Sequence, residues 1–269
     1  MRILVVDAFT DRAFAGNPAG VCLLESPADD AWMQAVATEM RHSETAFVRP
    51  LDVPDADYEL RWFTPVVEVA LCGHATLATA HALYETGTVP ADRPIRFQTR
   101  RSGVLTVATG SGGLLEMDFP TMPAQPVEVP AGLAEALDVS VTGAGRNAQN
   151  DLLVVLDDEE AVRKLTPDMA ALARIDARGI CVAAPAAPGS GPYDFVSRFF
   201  GAAVGVGEDP VTGSAHCMLA PYWSDRLGRD ELTGYQASER GGAVRVTVRG
   251  DRVTLAGRAM TILDGTLKV

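Results

Sequence analysis

Apolar residues along this chain recur in two modes, short β-branched runs and longer stretches at helical spacing. ILVVDAF (3–9) and GVCLL (20–24) are short runs that predict strands. PADDAWMQAVATEM (27–40) places Trp32, Val36 and Met40 on one stripe behind an acidic first turn, which predicts a helix. TAFVRP predicts a strand closed by Pro50, and YELRWFT alternates as a strand. HATLATAHALYETG reads as a helix stopped by Gly87, and RSGVLTVATG with LLEMDFP reads as a hairpin around Gly110–Gly113. The second half follows suit. DLLVVLD, GICVAAP, DFVSRFF, AVRVTVRG and DRVTLAG predict strands, while TPDMAALARI and SAHCMLAPYWSDRLG predict helices.

The order of these elements repeats, and so do their landmarks. Arg61-Trp62-Phe63 returns as Arg198-Phe199-Phe200, 137 residues later (198 − 61). Cys72-Gly73-His74-Ala75 returns as Thr212-Gly213-Ser214-Ala215, with three extra residues in the connection. Gln98 before a glycine-containing strand is echoed by Gln236, and Met33 by Met169. Landmarks in one order at nearly one offset indicate an internal duplication. The proline-rich stretch at 120–130 is the expected linker, which sets expected domains at 1–122 and 127–269. Each half mixes strands with two helices, an α+β organisation. A doubly wound nucleotide fold is disfavoured, because no strand–GxGxxG–helix unit occurs and AGNPAG (15–20) lacks the P-loop spacing and lysine.

Composition narrows the function classes. With 269 residues, 47% hydrophobic and 22% charged, the chain is ordinary for a globular protein. Its formal charge of −12 argues against nucleic acid or an anionic membrane as the main partner. The opening MRILVVDAFTDRAF reaches Asp7 after a short apolar run, without the pattern of a secretory signal, and no run is long enough to span a membrane. The four cysteines (22, 72, 181 and 217) form no CxxC pair, so neither a zinc site nor a disulfide framework is expected. The expectation is a cytoplasmic protein with free thiols and no metal.

Candidate chemistry gathers at the two helix starts. Gly73-His74 and Gly213-Ser214 each open a helix, where unpaired amides and the helix dipole favour an anion without needing net basic charge. Glycine and serine are also ordinary helix-start residues, so only their pairing across the repeat raises the functional reading. Glu44, where a helix ends and a strand begins, and Asp209, just before a helix, are the candidate proton carriers. Aligned through the landmarks, their counterparts are Ile180 and Val69, and His74 pairs with Ser214. A symmetric scaffold serves an asymmetric substrate by carrying unlike residues at matching points. Cys72 beside His74 invites a thiol reading, although a buried structural cysteine is commoner. His42, His81 and His216 lack metal-ligand spacing.

At these residues the sequence resembles the PhzF-like (phenazine biosynthesis-like) isomerase family, a branch of the diaminopimelate epimerase-like fold. The resemblance is carried by VDAFTDRAFAGNPAGVCLL, HSETAFV, RWFTPVVEVALCGHATLATAHAL, SRFFGAAVGVGEDPVTGSAHCMLAPYW and QASERGG, spread over essentially the whole chain. It implies two similar domains related by a pseudo-two-fold, each a mixed β-sheet wrapped round a central helix, with a substrate between them. It places the family's acid/base glutamate on Glu44, its GH pair on Gly73-His74, and its D-P-V-T-G-S block on Asp209 through Ser214. The phenazine member of the family isomerises trans-2,3-dihydro-3-hydroxyanthranilate by moving a proton without metal or coenzyme. The related epimerases use one cysteine from each half, whereas this chain has Cys72 in the first place and Thr212 in the second.

The expected function is therefore a cofactor-independent isomerase moving a proton within a small carboxylate-bearing metabolite. Glu44, His74 and Asp209 are the expected catalytic residues. Asn17, Gly73, Gly213 and Ser214 are the expected substrate contacts, and a homodimer is expected. The alternatives are an amino-acid racemase or epimerase using Cys72, and a non-catalytic small-acid binder on the same scaffold.

Overall fold

A computed structural model describes residues 1–268 and divides the chain into two compact units. In chain order the first half contains β1 (Arg2–Ala8), β2 (Asn17–Leu23), α1 (Asp30–Met40), β3 (Glu44–Val53), β4 (Ala56–Phe63), β5 (Glu68–Val69), α2 (Gly73–Glu85), β6 (Ile95–Gln98), β7 (Val104–Thr109) and β8 (Leu115–Pro120). There follow β9 (Gln125–Val127), α3 (Leu133–Leu137), β10 (Ala144–Arg146), β11 (Asp151–Val155), α4 (Glu159–Lys164), α5 (Met169–Leu172), β12 (Gly179–Pro185), β13 (Phe195–Phe200) and β14 (Glu208–Asp209). The chain ends with α6 (Gly213–Leu227), β15 (Glu231–Gln236), β16 (Gly242–Arg249), β17 (Arg252–Gly257) and β18 (Ala259–Thr266).

The first unit is Met1–Asp118 with Ala256–Val269, and the second is Phe119–Leu255. In the first, β2 runs parallel to β3, β3 antiparallel to β4, β4 antiparallel to β5 and parallel to β6, and β6 antiparallel to β7. The second repeats that grammar step for step through β11, β12, β13, β14, β15 and β16. Two identical mixed-sheet patterns in one chain are the duplication seen as hydrogen bonding. Two corrections follow. The last strand, β18, pairs antiparallel with β1, so the first unit takes back the C-terminus, whereas the sequence suggested a clean break at 122/127. The proline-rich 120–130 stretch is no mere linker either, since β9 within it pairs with β10. Pro126 is tolerated there because a short strand at a sheet margin does not need every amide.

Some element boundaries also move. Pro50 does not close β3, which runs on to Val53 through an irregular register after Pro50. Strand β6 escapes the apolar pattern because it is short and β15 because ELTGYQ is mostly polar with a glycine inside it, yet each supplies the parallel partner of β4 or β13. The helix expected over TPDMAALARI shrinks to Met169–Leu172.

A central helix organises each unit. Nine residues of α2 are buried, from His74 round to Leu83, and nine of α6, from Gly213 to Ser224. A helix enclosed on all sides has no polar face to spare. Thr76 and Thr79 adapt by donating their hydroxyls to the carbonyls of Cys72 and Ala75, each at 2.7 Å. Helix α2 packs against β1, β2, β3 and β18, and α6 against β15 and β16. The second unit adds a core of Leu133, Leu137, Leu152, Val154, Val182 and Phe200 between its sheet and the small helices. No helix among the described residues is long and apolar enough to cross a membrane.

Candidate active site

The Arg-x-Phe landmark has a structural reason. Trp62 pairs with Val69 and Phe63 with Glu68, which brings Arg61 diagonally onto Glu68 with bonds of 2.8 and 2.9 Å. Its guanidinium also lies 5.0 Å from the ring centre of Phe63, two residues on and therefore on the same face. In the second unit Arg198 makes the same bonds to Glu208, at 2.6 and 2.8 Å, and lies 5.1 Å from the Phe200 ring. Each arginine thus clamps the two-residue strand that leads into a central helix.

Those clamped strands set the counterparts. Val69 stands opposite Trp62 and Asp209 opposite Phe199, so Asp209 and Val69 occupy matching places, as the sequence alignment had it. For Glu44 the register corrects that alignment by one residue. Thr45 faces Phe63 and Ile180 faces Phe200, so Ile180 matches Thr45 and Glu44 matches Gly179. Gln236 likewise matches Thr99 rather than Gln98, because Ser197 pairs with Gln236 while Glu59 pairs with Gln98.

In the first unit the structure gathers Glu44, Cys72 and His74. Helix α1 is capped by Arg41 in the left-handed conformation (φ 54°), and three residues later Glu44 opens β3. Cys72 caps α2 in extended conformation without its side chain bonding the first-turn amides. His74 Nε2 lies 3.3 Å from Glu44 Oε2, and Cys72 Sγ lies 3.5 Å from His74 Nδ1. The histidine is 5% exposed. Burial, reinforced by His42, lowers its pKa to about 3, so it is a neutral imidazole at neutral pH.

Asn17 opens β2, two residues before Ala19, the parallel partner of Glu44. Its side chain is therefore on the same sheet face as those of Ala19 and Glu44. It is fully buried, and Gly16 makes its entry possible. At φ +65°, a Cβ on Gly16 would fall 2.1 Å from the carbonyl oxygen of Ala8.

In the second unit Asp209, Thr212 and Gln236 form a bonded turn beside Ser214. Asp209 Oδ2 accepts the Thr212 hydroxyl at 2.5 Å. The buried Gln236 amide donates to the Asp209 carbonyl at 2.7 Å and accepts the Thr212 N–H at 2.9 Å. Thr212 caps α6 extended, and its side chain leaves the first-turn amides uncapped, as Cys72 does in α2. Sequence reasoning missed Arg178. Its Nη2 donates to Ser214 Oγ at 3.1 Å and to the fully buried Asp151 at 2.5 Å. A serine oxygen that accepts from arginine keeps its own proton to donate elsewhere. Arg178 precedes Gly179, so it stands where the first half has Ser43. The only sequence signal was that mismatch within the repeat.

The two halves thus present unlike chemistry at like places: a carboxylate beside His74 in one, a guanidinium beside Ser214 in the other. The remaining thiols are inert. Cys22, Cys181 and Cys217 are buried and uncombined, and burial raises the pKa of each, to about 12 for Cys22 and Cys217. A separate cavity of about 130 Å³ lies between α1 and β3–β4, lined among others by Arg49, Arg61 and Arg100. Each of these arginines is paired with a carboxylate, so that cavity offers no net cationic charge.

This arrangement, a repeated mixed-sheet pattern about central helices, is the α+β fold of the epimerase-like class. Residues 6–265 match the profile of the family described as "Phenazine biosynthesis-like protein", and the chain belongs to that family. An uncharacterized isomerase of Halalkalibacterium halodurans is 49% identical over 98% of this chain and 97% of its own length. The phenazine biosynthesis-like domain-containing protein of Homo sapiens is 39% identical, covering 99% of each. The crystal structure of a PhzF family protein from Enterococcus faecalis superposes with a TM-score of 0.92 at 39% identity, over 100% of this chain and 99% of the other. A probable proline racemase shares the fold at a TM-score of 0.65 and 13% identity. The chain is an isomerase, and its α+β fold is that of the PhzF and epimerase-like proteins.

Proposed function

We propose that this isomerase moves a proton within a small carboxylate-bearing metabolite by general acid/base catalysis at Glu44, with no metal or coenzyme taking part. The observation that carries the reading is the 3.3 Å approach of His74 Nε2 to Glu44 Oε2 at the start of α2. A carboxylate that removes a proton from carbon must hold it and return it at a second position. A neutral imidazole alongside can donate to the carboxylate or relay the proton, without the fixed cation that would make the carboxylate a weaker base. The Gly73 amide, in a first turn that the Cys72 side chain does not cap, is suited to a substrate carboxylate.

In the second unit the same role falls to the Gly213 and Ser214 amides and the Ser214 hydroxyl that Arg178 orients. Asp209, held by Thr212 and Gln236, is assigned proton relay, and Asn17 substrate contact. The closest test is a metabolite screen in D₂O for a compound that acquires deuterium on incubation with the chain. Exchange that is retained by Glu44→Gln sinks the mechanism. The assignment to the cytoplasm and to a homodimer belongs to the same proposal, and the dimer is checked by solution mass.

A second reading is favoured by one distance, the 3.5 Å between Cys72 Sγ and His74 Nδ1, which suits a thiol base in a racemase. Thr212 stands at the matching helix cap, so a mechanism with one thiol from each half lacks its second thiol. Cys72→Ala separates the two. A non-catalytic acid binder would bind candidate acids and exchange nothing.

A further inference from the structure

The Arg178 guanidinium is fixed at one nitrogen and open at another. Its backbone N–H donates to the Asn150 carbonyl at 2.7 Å. Its Nη2 meets Asp151 Oδ2 at 2.5 Å, and Gln149 Oε1 and Ser214 Oγ each at 3.1 Å. Nη2 thus has two hydrogens for three acceptors, whereas Nη1 has no partner among the described residues. The side chain is 39% exposed, while that of Asp151 is fully buried and also accepts from Asn147 Nδ2 at 3.2 Å. Burying a carboxylate is costly, and the first unit shows that the strand does not need one. Asp151 pairs in parallel with Gly179 as Ala19 does with Glu44, so Asp151 matches Ala19 and Arg178 matches Ser43. A charge pair set where the other unit has alanine and serine holds a guanidinium beside Ser214, and its Nη1 edge is left unused by the fold.

We propose that Arg178 is a specificity-determining residue, whose Nη1 edge and the Ser214 hydroxyl together bind an ionised carboxylate of the substrate and reject a neutral amide, ester or hydroxyl there. Helix amides alone also suit a neutral carbonyl oxygen, whereas a guanidinium adds charge-assisted bonds that only an anion completes. The serine oxygen accepts from Nη2 and keeps its proton for the same anion. Asp151 balances the charge, yet it is sealed from solvent and engages Nη2, which leaves Nη1 to the ligand. Asp151 and Gln149 are positioning residues that act through the guanidinium. The assignment rests on the reading of Ser214 as a substrate contact given under Proposed function.

Benzoate and benzamide, alike in shape and different by one charge, test this in calorimetric titrations of the full chain. Benzoate is expected to bind at least about tenfold more tightly, the lower end of what a hydrogen bond to a charged group contributes. Asp151→Ala combined with Arg178→Ser removes the pair together and leaves neither charge orphaned. This double variant is expected to fold, to lose the preference for benzoate and to bind benzamide as before. Arg178→Lys, which keeps the charge without the planar fork, is expected to keep part of the preference. A wild-type chain that shows no preference or binds no benzoate, or a preference that survives the double variant, overturns the proposal. If the double variant does not fold, an undiminished preference in Arg178→Lys overturns it instead. Glu44-dependent isotope exchange in a chain without the preference keeps the proposed function and loses this assignment; the preference without exchange keeps the anion site and loses the catalytic reading.

Discussion

Glu44 and Gly179 occupy matching positions in the two sheets, each one residue before the position that faces the last phenylalanine of an Arg-x-Phe run. The pair shows how the duplication is broken. On the glycine side, a Cβ would come 2.1 Å from Cζ of Phe199, so the ring occupies the volume that a side chain at 179 would need. On the other side the side chain is a carboxylate that reaches His74. The backbone is copied, and the chemistry is not.

Gly179→Ala is accordingly expected to destabilise the chain by about 1–3 kcal/mol, the usual range for overpacking. Combining it with Phe199→Leu should recover part of that loss. Urea unfolding of the two variants and the double variant measures it, and a double variant no better than the sum of its singles would show that Phe199 is not the obstacle.

Glu44→Gln should lower deuterium exchange into an identified substrate by roughly 10²–10⁴-fold, the share ordinarily supplied by a positioned acid/base. Cys72→Ala should keep most of it. Activity that vanishes with the thiol and survives loss of the carboxylate would transfer the chemistry to Cys72.

Two buried histidines should make the protein acid-sensitive. Burial depresses His74 to about 3 and His216 to about 4, from an ordinary 6.5. Between those values and 6.5 the unfolded chain binds protons that the folded one refuses. Stability is therefore complete above about pH 6.5 and falls on acidification toward pH 4, by up to about 1.4 kcal/mol per pH unit for each histidine. His74→Gln with His216→Gln should flatten the slope. Parallel urea-midpoint profiles for wild type and double variant between pH 7 and 4 would contradict this.

The Arg61 clamp should be costly to break. Its side chain is 6% exposed and bonded to Glu68 and Asp30. Arg61→Met leaves the largely buried Glu68 with only the exposed Arg100 as partner, at a cost of up to about 3 kcal/mol. Adding Glu68→Gln should return part of it. A double-mutant cycle in urea checks the coupling, and strictly additive losses would mean that the pair is not a unit.

Much of the architecture was legible along the chain. The helix starts at Gly73 and Gly213 stand within a residue of their expected places, because an apolar run behind a glycine is a local signal. The Arg-x-Phe landmark announced the duplication because an arginine that must reach a glutamate on the next strand and cover its own i+2 ring tolerates little change. Strands β6, β9, β15 and β18 were not legible. Strand β6 is short, β9 bears a proline, β15 and β18 each carry an interior glycine and polar residues, and the sheet membership of β6, β15 and β18 depends on partners far along the chain. Arg178 was missed for the same reason, since its bond to Ser214 spans 36 residues.

The sequence by itself determined the periodic pattern, the repeat and the family, and named the candidate proton carriers, all of which reside in residue type and local order. Register was decided only by the tertiary structure. A shift of one residue exchanged Ile180 for Gly179 as the partner of Glu44, because neighbouring strand residues point to opposite faces and only cross-strand pairing says which are opposed. Tertiary structure also returned the last strand to the first unit and brought donor atoms of Glu44, Cys72 and His74 within 4.8 Å of one another. Those are contacts between distant segments, and they form only when the sheets close round their helices.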